Sequence, residues 1–129
     1  MITHKVPLAS LSDLFAICRL KPDAPLPTWA TSGPFLSITR TAEELSIVCP
    51  QAFVPDGVKC EKGWRCLRVA GWMDLSMIGV LPSLVSPLAE AHISVFAIST
   101  FNTDYLVVKE NDLEKAIATL QRAGHSITK

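Results

Sequence analysis

The segment VFAISTFNTDYLVV, residues 95–108, consists of two apolar runs joined by a short polar stretch. Both alternating faces of Val95 to Ser99 are largely apolar, which predicts a central strand covered on at least one side. Tyr105 to Val108 restores the strand pattern, so the pair predicts a β-hairpin. The connection at residues 100–104 carries hydroxyls, an amide and a carboxylate around one phenylalanine ring, more donors and acceptors than a turn requires.

A helix is predicted on each side of this hairpin. The second helix has an apolar stripe at helical spacing, formed by Leu113, Ala116, Ile117 and Leu120. Asn111 and Glu114 have the spacing of a capping box, and Gly124 suits the helix end. The first helix is predicted over residues 81–91, with Pro82 suited to its first turn and Pro87 expected to kink it or delay its start.

From Met77 onward the predicted order is strand, helix, strand, strand, helix, strand. This βαββαβ order is the split-βαβ arrangement, an antiparallel sheet with two helices on one face. In the first half, residues 11–20 predict a strand, and residues 21–34 predict a proline-rich loop in which Trp29 covers a core edge. The segments FLSIT and LSIV predict a second hairpin, and residues 64–69 a further strand.

The two hairpins resemble each other in sequence. ITRTAEELSIV aligns with ISTFNTDYLVV without a gap, which suggests two related halves, the first with degenerate helices.

Composition excludes several classes of function. The 129 residues include 12 basic and 12 acidic side chains, so the excess of positive charge that nucleic-acid binding requires is missing. No apolar run reaches membrane-spanning length, and MITHKVPLAS lacks the apolar segment of a secretory signal, so a soluble cytoplasmic protein is expected. The four cysteines have no CxxC spacing and are predicted to be buried structural thiols, with Cys60 and Cys66 the pair to test.

Residues 79–125, GVLPSLVSPLAEAHISVFAISTFNTDYLVVKENDLEKAIATLQRAGH, resemble an ACT domain, a small βαββαβ module that binds amino acids and regulates enzymes. The resemblance is closest to the subgroup typified by the aspartokinase regulatory region and the animal arginine sensors. The first half resembles a divergent unit more weakly, through ELSIVCP. The implied fold is α+β, with tandem ferredoxin-like (βαββαβ, ACT-like) units: residues 1–62 as the divergent unit and residues 63–129 as the ACT domain.

The resemblance also implies a site between domains or subunits, built from two loops. The candidate residues are Met77, Ile78, Gly79 and Val80 in the first loop, and Ser99, Thr100, Phe101, Asn102, Thr103 and Asp104 in the second. A helix N-terminus suits the carboxylate of an amino acid, and Asp104 suits its ammonium or a basic side chain, with Thr100 or Asn102 fixing orientation. Pro82 removes one N–H donor and no acidic residue adjoins Gly79, which departs from the arginine sensors.

Structural roles compete with these binding roles. Asp104 is also a residue type that bonds its own backbone in hairpins, Gly79 suits a tight turn, and Phe101 suits packing against the neighbouring half. His4, His92 and His125 are far apart and are predicted at solvent-facing positions or element ends, without a metal set.

No nucleophile motif, acid–base carboxylate pair or phosphate-binding glycine loop is present. Together with the resemblance to the ACT domain, this predicts a non-catalytic, amino-acid-binding regulatory protein without a cofactor, acting as a homodimer or on a separate metabolic enzyme. One alternative is a ligand-independent assembly module of the same fold. The other is a small ferredoxin-like enzyme such as an acylphosphatase, for which Arg19 and Asn102 are the only remote candidates.

Overall fold

The computed structural model describes residues 5–70 and 78–129, which form two compact units. The continuous unit is Asp13–Trp64, and the discontinuous unit combines residues 5–12 with the described part of Arg65–Lys129. Two strands, β1 (Pro7–Leu20) and β4 (Cys60–Val69), have residues in both units. The predicted division into residues 1–62 and 63–129 stays a prediction, and the compact units differ from it in placing residues 5–12 with the second half.

The continuous unit is a sheet without an α-helix among its residues. Its strands are ordered β2–β3–β1–β4, where β2 is Ser37–Arg40 and β3 is Leu45–Pro50. Strand β3 pairs antiparallel with both β2 and β1. Short 3₁₀ turns, Thr28–Ala30 and Gln51–Phe53, follow β1 and β3. The predicted strand at 11–20 and the hairpin are confirmed, whereas β4 begins earlier than the predicted Trp64.

Apolar residues cover one face of this sheet. Ala16, Cys18, Leu45 and Ile47 are buried in one cluster, and Trp29 packs against it, as predicted for an aromatic side chain in the proline-rich loop. Burial of these side chains stabilises a unit that has only short 3₁₀ turns in place of helices.

The discontinuous unit has a sheet ordered β7–β1–β4–β6–β5 and two helices. Its further elements are α1 (Val80–Glu90), β5 (Val95–Ser99), β6 (Asp104–Lys109), α2 (Leu113–Arg122) and β7 (Ser126–Thr128). The predicted hairpin is confirmed by the antiparallel pairing of β5 with β6. Both helices share one core with Leu106 and Val108, which alternate onto the same face of β6.

Three details of this unit differ from the prediction. Strand β5 lies at the edge of the sheet and not at its centre, and Phe96 is 37% exposed, because an apolar run alone does not distinguish an edge strand from a central one. The sheet is not wholly antiparallel, since β1 enters it and pairs parallel with β7. The last strand described before α1 is β4; the predicted strand from Met77 falls partly on residues 71–77, which lie outside the described residues, and Ile78 and Gly79 are not in a strand.

The prediction for helix α2 is wrong at its N-terminus and correct at its C-terminus. The capping box is wrong: a 3₁₀ turn, Glu110–Asp112, contains Asn111, and the N-cap residue is Asp112, without a side-chain cap hydrogen bond. The C-terminal glycine is confirmed. Gly124 has a φ of +102°, and the N–H groups of Gly124 and His125 donate to Gln121 and Leu120, the bonds of a Schellman motif.

Neither helix of the described residues is long and apolar enough to cross a membrane.

Helix α1 also ends in a Schellman motif, but a histidine and not a glycine occupies the position with positive φ. His92 has a φ of +61°, and its N–H donates to Ala89 O at 3.0 Å while Ile93 N–H donates to Leu88 O at 2.9 Å. Among the described residues, His92 is the only one other than glycine with a positive φ. A side chain in this region costs about 1 kcal/mol or more, which glycine avoids.

We therefore expect His92→Gly to raise the free energy of unfolding by about 1 kcal/mol. The measurement is the midpoint of urea unfolding. Ser94→Gly is the control, since Ser94 is exposed and adopts no positive φ, and it should give no gain. A lower midpoint for His92→Gly than for the parent chain would contradict the assignment.

A buried histidine satisfies the carbonyl that a proline leaves without a helical partner. Pro87 lies inside α1 and has no N–H, so the carbonyl of Ser83 lacks its usual helical donor. His125 Nε2 lies 3.0 Å from Ser83 O, and His125 Nδ1 accepts from Val6 N at 3.1 Å. Because Nδ1 accepts, Nε2 carries the proton and donates. His125 thus lies at an element end, between α2 and β7, which is one of the two predicted alternatives, and it is buried and does not face solvent. His92 is exposed, and His4 lies outside the described residues.

We expect His125→Leu to cost about 2 to 4 kcal/mol, because two backbone groups lose their partner. In a Pro87→Ala background the cost should fall by about 1 kcal/mol, since alanine at that position supplies the helical N–H to Ser83 O. Chemical denaturation of the four variants gives the coupling. Pro82→Ala is the control background, because Pro82 lies in the first turn, where an N–H has no helical acceptor. Equal costs in the Pro87→Ala and parent backgrounds would contradict the pairing.

Candidate functional site

The tip of the β5–β6 hairpin is closed by hydroxyl side chains. Thr100 donates to the carbonyl of Thr103 through both its N–H, at 2.8 Å, and its Oγ1, at 2.9 Å. Thr100 Oγ1 also accepts from Thr103 N at 3.2 Å. One threonine therefore forms most of the turn, and its hydroxyl is occupied within the hairpin.

Thr103 joins this tip to the end of a neighbouring strand. Its Oγ1 donates to Val69 O at 2.8 Å, and the side chain is only 6% exposed. Val69 is the last residue of β4, from which the chain continues through residues 71–77 to α1. The hairpin tip thus lies beside the point where the chain leaves the sheet towards the first predicted loop.

Asp104 is a buried carboxylate at the same tip, 7% exposed. Ser99 and Asp104 are opposite each other in the β5–β6 register, and Ser99 Oγ donates to Asp104 Oδ1 at 2.6 Å. A buried carboxylate is costly unless a donor or a cation is close to it. The Ser99 hydroxyl is such a donor to the Asp104 carboxylate.

The first predicted loop leads into the N-terminus of α1, which has no side-chain cap hydrogen bond. Gly79 is the N-cap residue of α1 with a φ of +86°, a conformation that glycine adopts without strain, and Ser83 N–H donates to its carbonyl. Ile78 is 77% exposed, whereas Val80 is buried in the core and can offer only its backbone N–H. Met77 lies outside the described residues.

The predicted residues separate into three groups. Ser99 with Asp104, and Thr100 with Thr103, form two hydrogen-bonded pairs at the hairpin tip. Phe101 is 72% exposed, and Asn102 is also exposed. Gly79 and Val80 lie at the start of α1. That these loops together bind a ligand stays a prediction.

The carbonyl of Val69 was not predicted as the partner of Thr103. The alternation in WRCLRV indicated where the strand ends, but no feature of the sequence identifies the acceptor of a hydroxyl 34 positions away.

The four cysteines are free thiols; Cys18, Cys49 and Cys66 are buried as predicted, whereas Cys60 is only partly buried. Burial, reinforced by the neighbouring Cys49 and Cys60 thiols, raises the pKa of Cys18 to about 12. Burial likewise raises the pKa of Cys66 to about 12, against the opposite effect of Arg68. Within residues 5–70 and 78–129, no group of three or more histidine, cysteine or acidic side chains could hold a metal ion.

We expect a thiol-specific reagent at pH 8 to modify Cys60 first, because it is only half-buried. A thiol with a pKa near 12 has a thiolate fraction of about one in ten thousand at this pH, so Cys18 and Cys66 should react only on unfolding. Cys60→Ser should remove the fast phase, and Cys66→Ser should leave it unchanged. A fast phase of more than one equivalent would contradict this ordering.

Comparison with known proteins identifies relatives of both halves. The model of the ACT domain family matches residues 59–122. A second family model, described as an N-terminal domain, matches residues 13–57, which lie within the continuous unit.

One relative of known name is the cytosolic arginine sensor for mTORC1 subunit 1 of Bos taurus, 31% identical over 103 residues, which cover 68% of this chain and 30% of the relative. The chain therefore matches about a third of the length of the curated relatives of that name. A crystallised protein of Agobacterium tumefaciens is 40% identical with a TM-score of 0.93, and the match covers 97% of this chain and 93% of that one. The regulatory subunit of aspartate kinase from Thermus thermophilus, 10% identical with a TM-score of 0.66 over 90% of this chain and 95% of that one, shares the fold.

Proposed function

This chain belongs to the ACT domain family, and on that premise we propose that it is a non-catalytic regulatory protein that binds a free amino acid. The single observation that carries the proposal is Asp104, a buried carboxylate held by Ser99 at the hairpin tip. The name of one relative supports the ligand class, since that protein is a sensor of arginine. The word cytosolic in the same name supports a cytoplasmic location.

Asp104 binds the ammonium group of the ligand in this proposal. A charge-assisted hydrogen bond to a buried carboxylate is stronger than a neutral one, because little water competes for either partner. The N-terminus of α1 at Gly79 and Val80 binds the ligand carboxylate through backbone N–H groups, where the helix dipole favours negative charge.

Two residues of the hairpin tip are candidates for orienting the ligand. Thr100 Oγ1 both donates and accepts within the hairpin turn, so its hydroxyl already has partners. We propose that Thr100 or Asn102 fixes the orientation of the ligand, from the exposed tip of the hairpin. Pro82 has no N–H to add at the start of α1, and the chain has no acidic residue next to Gly79. A zwitterion without a basic side chain is accordingly a better candidate than arginine.

We propose that the two halves are tandem ACT-like units, residues 1–62 and 63–129. The strand order β2–β3–β1–β4 supports this, because it is the order of a split-βαβ sheet in which the 3₁₀ turns after β1 and β3 stand where helices would be. We further propose that the chain acts as a homodimer or on a separate metabolic enzyme.

The test is thermal unfolding with each of the twenty amino acids at about 10 mM. A ligand at 100 times its Kd adds about 2.7 kcal/mol, which raises the Tm of a chain of this size by several degrees. Asp104→Asn should abolish the shift while the apo protein stays folded by circular dichroism.

Asp56→Asn is the matched control for this experiment, because Asp56 is an exposed aspartate of the continuous unit, and it should retain the shift. Absence of a shift with all twenty amino acids, or a full shift in Asp104→Asn, would overturn the proposal.

An assembly module that needs no ligand is the second candidate, favoured by the position of β5. This strand lies at the edge of its sheet with Phe96 partly exposed, and edge strands are templates for another chain. Size-exclusion chromatography distinguishes the two functions, because an assembly module forms the same oligomer with and without the ligand.

A further inference from the structure

A groove of about 730 Å³ lies within the continuous unit, away from the hairpin tip in sequence. Its walls are two segments, residues 19–25 at the end of β1 and residues 57–59 just before β4. Pockets for small molecules commonly have volumes of about 300 to 1,000 Å³, so the groove is large enough for an organic ligand.

The rim of this groove is positively charged. Arg19, Lys21 and Lys59 line it and are exposed, and Asp23 is the one acidic residue among the lining residues. The chain as a whole has a net charge of zero, so this cluster is a local excess of positive charge. A concave surface lined by one sign of charge concentrates counter-ions.

The floor of the groove is apolar. Leu20, Ala24 and Val58 line it and are partly buried against the core of the continuous unit. An apolar floor under a cationic rim suits a ligand that has both an apolar body and a negative group.

Backbone hydrogen bonds hold the two walls in place. Arg19 N–H donates to Lys59 O at 3.0 Å, which joins the segments directly. Ala24 N–H donates to Lys21 O at 3.1 Å and closes a turn, and the guanidinium of Arg40 donates to Pro22 O. The groove is therefore formed before any ligand binds, which lowers the entropic cost of binding.

Most N–H donors of the Arg19 guanidinium make no hydrogen bond with the described part of the chain and are available to a ligand. Within residues 5–70 and 78–129, its guanidinium makes one long hydrogen bond, from Nη2 to Glu43 O at 3.4 Å, out of five possible N–H donors. Guanidinium groups pair with carboxylate and phosphate through two parallel bonds.

We propose that this groove binds a small organic anion, a carboxylate or a phosphate ester on an apolar body, at a site separate from Asp104. Arg19 and Lys59 bind the anionic group, and Leu20 and Val58 contact the apolar body. Lys21 contributes to the positive rim, so the affinity falls as the salt concentration rises.

The test is titration of the full chain with 3-phenylpropionate and with phenyl phosphate, followed by amide NMR shifts. At about 10 mM, which saturates a millimolar site, either probe should shift the amides of Gly57, Val58 and Lys59. The probe with the larger shift identifies carboxylate or phosphate as the preferred group. The uncharged analogue 3-phenylpropanol should give little shift.

Lys59→Gln and Arg19→Gln should each weaken binding by about fivefold, equivalent to about 1 kcal/mol. Lys62→Gln is the matched control, since Lys62 is an exposed lysine three positions away that does not line the groove, and its Kd should change by less than about twofold. Asp104→Asn should leave binding unchanged, which separates this site from the amino-acid site.

Absence of shifts for both anions would overturn the proposal. So would equal losses in Lys59→Gln and Lys62→Gln, which indicate attraction to the whole surface, or shifts confined to residues outside the groove.

Discussion

One hydroxyl contact fixes the geometry of the candidate amino-acid site. Thr103 Oγ1 donates to Val69 O, and this bond ties the hairpin tip to the end of the strand that leads to α1. Asp104 follows directly in the chain, and Ser99 orients its carboxylate from the opposite strand. Because the bond is buried, water does not compete for it. The position of the carboxylate thus depends on strand pairing, and the loop itself only closes the turn.

For the discontinuous unit, the sequence predicted the helices and strands better than it predicted which strands pair with each other. The apolar runs around residues 100–104 predicted the hairpin correctly, and the stripe ending at Leu120 with Gly124 predicted the body and end of α2, because these features depend on local periodicity. The position of β5 at the sheet edge depends on which strands pair across the chain. Asn111 was wrong as a cap for a local reason, since a 3₁₀ turn moves the start of α2 beyond it.

For the candidate site too, the sequence indicates which polar residues are present, whereas their burial and their distant partners depend on the tertiary structure. Polar residues in the hairpin tip are visible in the sequence, so Ser99 and Asp104 could be proposed before their contact was known. The burial of Asp104 and the role of Val69 O arise from tertiary packing. His125 shows the same limit: its two backbone partners, Ser83 and Val6, are 42 and 119 positions away, and no local pattern predicts them. The groove at residues 19–25 and 57–59 likewise comes from two segments that are distant in sequence.

The parallel pairing of β1 with β7 has a consequence for the order in which the chain folds. Pro7 is opposite Ser126, so the sheet of the discontinuous unit contains strands from both ends of the described chain. The continuous unit needs only residues up to the end of β4 and has all of its strands once Val69 has been synthesised, well before β7. Contacts over such long sequence separations form slowly, because the loop between them must first be closed. During synthesis the N-terminal part of β1 therefore cannot pair with β7 until β7 has been made. Until then, the edge of β1 that pairs with β7 is exposed and can pair with a wrong strand.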